Sequence, residues 1–143
     1  MFLRGTCARP VLALFVLPLL VADCGSKVVR VTGTVTCGGK PVPKLVVNFE
    51  PAHGRPSWGL TDKDGHHSLH YEAGRDGAEI GTHKVWVELK ATRPGEEADV
   101  GRRKAQPEIQ RILQKYGKFE KTPLTKEVKE NDQVINLELC DSP

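Results

Sequence analysis

The chain has 143 residues, of which 38% are hydrophobic and 27% charged, a balance that suits one domain with one core and excludes a disordered polyelectrolyte. Its formal net charge is only +3, and its basic residues are interleaved with acidic ones, as in Lys118, Glu120, Lys121, Lys126, Glu127, Lys129 and Glu130. That pattern reads as a solvated surface rather than a one-sided basic patch, so no nucleic-acid partner is expected.

The chain opens with Arg4 and Arg9 ahead of an apolar run, 11–22, broken only by Pro18. A basic start followed by a short apolar stretch is the pattern of an export signal. The run falls short of the about 20 apolar residues that a transmembrane helix needs. It ends in Val21-Ala22-Asp23-Cys24-Gly25-Ser26, which resembles the lipobox of bacterial lipoproteins. Leu20 and Val21 supply the aliphatic part, Ala22 a small residue and Cys24 the lipid acceptor. Asp23 departs from the pattern, because Gly, Ala or Ser normally precedes that cysteine. Residues 1–23 are therefore read as a signal peptide of lipoprotein type with Cys24 as the first mature residue. A plain secretory signal cut nearby, giving a soluble periplasmic or secreted protein, is the alternative. Removing Arg4, Arg9 and Asp23 with the leader leaves 19 basic against 17 acidic residues. A lipid on Cys24 would hold the domain at a membrane surface without spanning it.

The next stretch, 28–36, alternates, with Val29, Val31, Gly33 and Val35 on one side and Arg30, Thr32, Thr34 and Thr36 on the other. Period-two patterning rich in Val and Thr predicts a half-buried strand. A turn follows at 37–41. Leu45, Val47 and Phe49 then point inward, with Val46, Asn48 and Glu50 outward. Residues 51–56 read as a loop and 57–61 as a short strand with Trp58 and Leu60 on one face. Asp62-Lys63-Asp64-Gly65 is a tight turn, since Asp bonds its own backbone there and Gly accepts a positive φ. A returning strand is expected over 66–71, a loop over 73–77, and a longer strand over 80–89. That strand places His83, Val85, Val87 and Leu89 on one face and Lys84, Trp86 and Glu88 on the other. Residues 91–101 read as a loop. The period then changes, because Ile109, Ile112, Leu113 and Tyr116 recur at i, i+3, i+4 and i+7. Pro107 suits a first helical turn and Gly117 a C-terminal cap, so one short helix is expected over 107–116. Strands return over 126–129 and 134–139, around a turn at 130–132. About seven short strands with one inserted helix predict an all-β fold, a two-sheet antiparallel sandwich of the prealbumin or immunoglobulin type occupying 28–140.

Several of these segments in order resemble a known family. Val31-Thr32-Gly33-Thr34-Val35-Thr36, then Gly39-Lys40-Pro41-Val42-Pro43, then Val46-Val47-Asn48-Phe49-Glu50-Pro51 is similar to the start of the carboxypeptidase regulatory-like, or transthyretin-like, domain found in short bacterial lipoproteins. Thr61-Asp62-Lys63-Asp64-Gly65 with Ser68-Leu69 resembles its next hairpin. Gly81 with Lys84-Val85-Trp86-Val87, and the ending after Thr122-Pro123-Leu124-Thr125, resemble the later elements. The resemblance implies a prealbumin-like sandwich with no catalytic residues. His67 and His83 depart from it at inward positions where the group usually carries Tyr, which implies a more polar core.

Few residues point to chemistry. His53, His66, His67, His70 and His83 carry no zinc spacing, and His66 and His70 on one strand would stand about 13 Å apart. His67 could approach His83 across the sheets. Asp62 and Asp64 lack the later acid of a calcium loop, since Ala73 stands at its twelfth position. Ser57, Ser68 and Ser142 lie in no nucleophile motif. No catalytic residue, cofactor or metal is therefore expected, and the chain is not read as an enzyme. Cys37 and Cys140 remain once the leader is gone and Cys24 is acylated. They form a disulfide if the ends of the first and last strands coincide, and are free thiols if they do not. The expectation is a non-enzymatic module at the bacterial cell envelope, anchored by lipid and serving a structural or protein-interaction role. The alternative is a carbohydrate or small-ligand module that stacks a sugar on Trp86; against it stands a Trp86 covered by the helix over 107–116, which is the preferred reading. The partner would be an envelope protein or polysaccharide.

Overall fold

The computed structural model describes residues 27–140. The signal segment and Cys24 lie outside the described residues. In chain order the elements are β1 (Val28–Val29), β2 (Val31–Cys37), β3 (Lys40–Pro41), β4 (Val46–Pro51), β5 (Ser57–Leu60), β6 (His66–Ser68), β7 (His70–Glu72), β8 (Arg75–Asp76), β9 (Ala78–Glu79) and β10 (Gly81–Glu88). Then come α1 (Glu97–Lys104), α2 (Pro107–Tyr116), β11 (Thr125–Val128), β12 (Gln133–Val134) and β13 (Leu137–Glu138).

Two main sheets form the all-β sandwich. One has six strands in the order β11-β10-β4-β5-β7-β8, all antiparallel. The other is centred on β2. The antiparallel strands β3 and β6 flank β2 on one side, and β12 and β13 pair with it on the other. A small ribbon of β1 and β9 extends the N-terminal end. Val31, Val35 and Cys37 of β2 face Val47, Phe49, Val85, Val87 and Leu89 of the larger sheet, and all are buried in one core. The period-two alternation of the sequence produces this directly, since every second residue of a strand turns to the same face.

Three features depart from the sequence reading. First, β12 and β13 run parallel to β2, with Leu137 opposite Val35 and Gln133 opposite Val31. The fold is thus not antiparallel throughout, because the last strand crosses the domain after α2 and returns in the direction of the first. Second, the strand expected over 66–71 divides between the sheets. His66–Ser68 pairs with β2, His70–Glu72 pairs with β5, and the fully buried Leu69 is the pivot, its N–H bonded to Val31 O at 3.0 Å. Third, a helix, α1, occupies part of the expected loop over 91–101. It buries no residue, so it left no apolar period to read. Val100 alone packs against the core, and the rest of the helix's support is electrostatic: Glu97 and Asp99 sit in the first turn and Arg102, Arg103 and Lys104 in the last, each sign at the helix end where the dipole favours it. Arg103 also donates to Pro43 O at 2.6 Å, and Lys44 pairs with Asp99 at 3.4 Å, which dock α1 on the β3–β4 connection.

The helix α2 spans the residues its period predicts, and Pro107 begins it. Ile109, Ile112 and Tyr116 enter the same core as Val85 and Val87. Two buried threonines pin loops to this frame. Thr61 Oγ1 donates to Val42 O at 2.7 Å and accepts from Leu45 N–H at 2.8 Å, while Thr122 Oγ1 donates to Val85 O at 2.7 Å. No helix among the described residues is long and apolar enough to cross a membrane.

Candidate functional site

The two cysteines of the domain meet where the first and last strands end. Cys37 and Cys140 are joined by a disulfide, with Cα atoms 4.6 Å apart and a sequence separation of 103. The parallel pairing of β13 with β2 brings the two ends together. Glu138 braces the corner, accepting from Thr36 Oγ1 at 2.7 Å, Gly38 N–H at 2.6 Å, Cys140 N–H at 3.3 Å and Gly39 N–H at 3.4 Å. Desolvation pushes its carboxyl pKa upward, but these hydrogen bonds outweigh it and hold the pKa below the ordinary value.

The histidines separate into two groups. His67 and His83 are inward and buried, and Phe49 lies between them, its ring centroid 6.5 Å from the first and 6.0 Å from the second. His83 Nε2 is 2.7 Å from Glu79 O, while neither ring nitrogen of His67 has a hydrogen-bond partner. Burial, and secondarily the neighbouring His66, pushes the His67 pKa down to about 4. A neutral His67 fills the space above Gly33, whose missing side chain would meet the His67 ring at 2.8 Å and Ile135 O at 1.9 Å. His66 and His70 are exposed and belong to different sheets, because the chain switches sheets at Leu69. His66 Nδ1 lies 2.9 Å from Thr34 Oγ1, and His70 Nδ1 lies 2.6 Å from Asp76 Oδ1. Among the described residues no group of three or more His, Cys, Asp and Glu side chains is placed to hold a metal ion. Asp62 Oδ1 accepts from the N–H groups of Asp64 and His66, each at 2.9 Å, which is the work of a turn.

Trp86 stands on the outer face of the six-stranded sheet and is half-buried. Its expected cover is absent there, because the apolar stripe of α2 joins the core on the opposite, Val85 and Val87, side of β10. Trp86 instead donates its indole N–H to Glu50 Oε2 at 3.3 Å. The register aligns it with a second tryptophan. Trp86 is opposite Asn48, Asn48 opposite Trp58, Trp58 opposite His70, and His70 opposite Asp76. The five side chains therefore form one row across five strands, because directly opposed residues point to the same face.

Trp58 is the member of the row that sequence reading passed over. Strand β5 inverts the usual pattern, burying Ser57 and Gly59 and exposing Trp58 and Leu60. The inversion has a steric cause: a side chain on Gly59 would come within 2.6 Å of Ser68 O on the crossing segment. Small residues inward and large apolar residues outward in one short strand were the available signal. Comparison of the chain with family models, curated proteins and solved structures finds no match.

Proposed function

We propose that the protein is an exported, non-enzymatic β-sandwich module, held at the cell envelope by a lipid on Cys24 and acting through the surfaces of its sandwich. The observation that carries this reading is the disulfide between Cys37 and Cys140, a bond suited to oxidising compartments outside the cytoplasm. It stands behind a sequence with the grammar of an export leader, the basic Arg4 and Arg9, the apolar run 11–22 and the lipobox-like Val21-Ala22-Asp23-Cys24. The resemblance to the transthyretin-like domain belongs to the same proposal and is supported by the order and spacing of its motifs.

The experiment is cell fractionation with mass analysis of wild type and Cys24→Ala. Membrane-bound wild type with an acylated Cys24, and a variant released from the membrane, support the reading. A wild type recovered with its leader intact in the cytosol, or with Cys37 and Cys140 as free thiols, overturns it.

A further inference from the structure

The chain has two tryptophans, and both lie in the single row on the outer face of the six-stranded sheet. One strand separates them, so their backbones are about 10 Å apart, two strand spacings. Trp58 is 49% exposed and leans on His70, ring centroids 5.4 Å apart, which in turn is held by Asp76. Trp58, His70, Glu72, Ala73, Gly74 and Asp76 line a shallow depression at this end of the row. Asn48 stands between the tryptophans in the row, with its amide nitrogen buried. Leu60, 37% exposed, lengthens the apolar surface along β5.

An exposed indole beside hydrogen-bonding side chains is a costly surface to leave in water and a good one for a ligand with an apolar face and polar edges. The C–H face of a pyranose ring and its equatorial hydroxyls are such a ligand. Of the acids here, Glu72 is paired with Arg55 and Arg75, whereas Glu50, which accepts from the Trp86 indole, and Asp76, beside His70, keep their negative charge. The face thus offers no attraction for an anionic polymer. The backbone spacing of about 10 Å between the two tryptophans is comparable to the length of a disaccharide.

We infer that this face binds a neutral, ribbon-like β-linked glycan, with one sugar stacked on Trp58 and a second, two rings along, against Trp86. His70 and Asp76 supply the hydrogen bonds beside the Trp58 platform. The inference goes beyond the envelope role proposed above and rests on the row alone, so it stands or falls apart from the lipid on Cys24.

The test is titration of the protein as purified from cells with cellohexaose and with chitohexaose, followed by tryptophan emission. Both indoles sit on the proposed face, so emission reports that face and nothing else. A saturable change with one of these glycans at up to millimolar concentration is expected, weakened about tenfold or more in Trp58→Ala. Trp86→Phe is expected to weaken it less. Thermal melts of both variants close to wild type separate lost binding from lost folding; if Trp58→Ala unfolds, Trp58→Leu is read in its place. No change with either glycan, or equal affinity in wild type and the folded Trp58 variant, overturns the inference, as does binding of a protein partner at this face in place of the glycans.

Discussion

The two faces of the six-stranded sheet are unlike, although the same strands make both. The inner face, Val47, Phe49, Val85 and Val87, is fully buried, and of its polar insertions His83 is hydrogen-bonded to Glu79 O while the small Ser57 hydroxyl lies opposite Phe49. The outer face alternates large and polar side chains and leaves Trp58 about half exposed. Burial alone explains the first face, since each residue there gains by leaving water. Cross-strand register explains the second, since Trp86, Asn48, Trp58 and His70 come together only through pairing. The comparison teaches that one face holds the fold while the other is free to be shaped for contact.

Four experiments break or sharpen that division. The largest effect is expected from replacing Cys37 and Cys140 together by Ser, which removes a crosslink closing 103 residues. In the chain-entropy account this costs about 4–5 kcal/mol of stability, measurable by urea unfolding of the variant against oxidised wild type. Next comes Gly33→Ala, which forces a methyl into Ile135 O and the His67 ring, both neighbours of Gly33 within the β2 sheet. A loss of roughly 3 kcal/mol is expected in the same assay, and a neutral outcome would show that the segment around Ile135 gives way easily there.

The third is a pH effect of similar size. The folded pKa of His67 is lowered to about 4 from an ordinary 6.5, so above 6.5 both folded and unfolded states hold it neutral. As pH falls from 6.5 to 4 the unfolded chain takes up the proton first, and stability declines through that window by about 3 kcal/mol. The decline should flatten in His67→Leu. Glu138, with its lowered pKa, contributes in a separate, more acidic range: its stabilisation is present above the ordinary value of 4.5 and is lost below it. The smallest effect belongs to the outer face. Trp58→Ala should change stability by less than about 1 kcal/mol, because the ring is half in water in the folded state. A loss several times larger would place Trp58 with the residues that hold the fold.

Much of the architecture was legible from side-chain period. Val31, Val35, Val47, Phe49, Val85 and Val87 alternate inward as read, and α2 follows from Ile109, Ile112 and Tyr116. The inward turn of His67 and His83 was legible too, but not their placement on either side of Phe49, which depends on how the sheets face each other. What alternation cannot encode is direction and partner. It gave no sign that β13 lies parallel to β2, nor that Leu69 divides one strand between two sheets. The helix α1 escaped for a different reason, being fixed by charge and by Arg103 on Pro43 O instead of by an apolar stripe. The tryptophan row escaped because its members come from distant strands and share no local pattern.

The side-by-side pairing of β2 with β12 and β13 also governs when the domain can become whole. Leu137 lies opposite Val35 and Gln133 opposite Val31, so the central strand finds its neighbours about a hundred residues downstream. A polypeptide delivered from its N-terminus has nothing to complete that layer until its final segment arrives, and ordering such distant pairs is slow. The β2 layer is therefore complete only once the last strands are present.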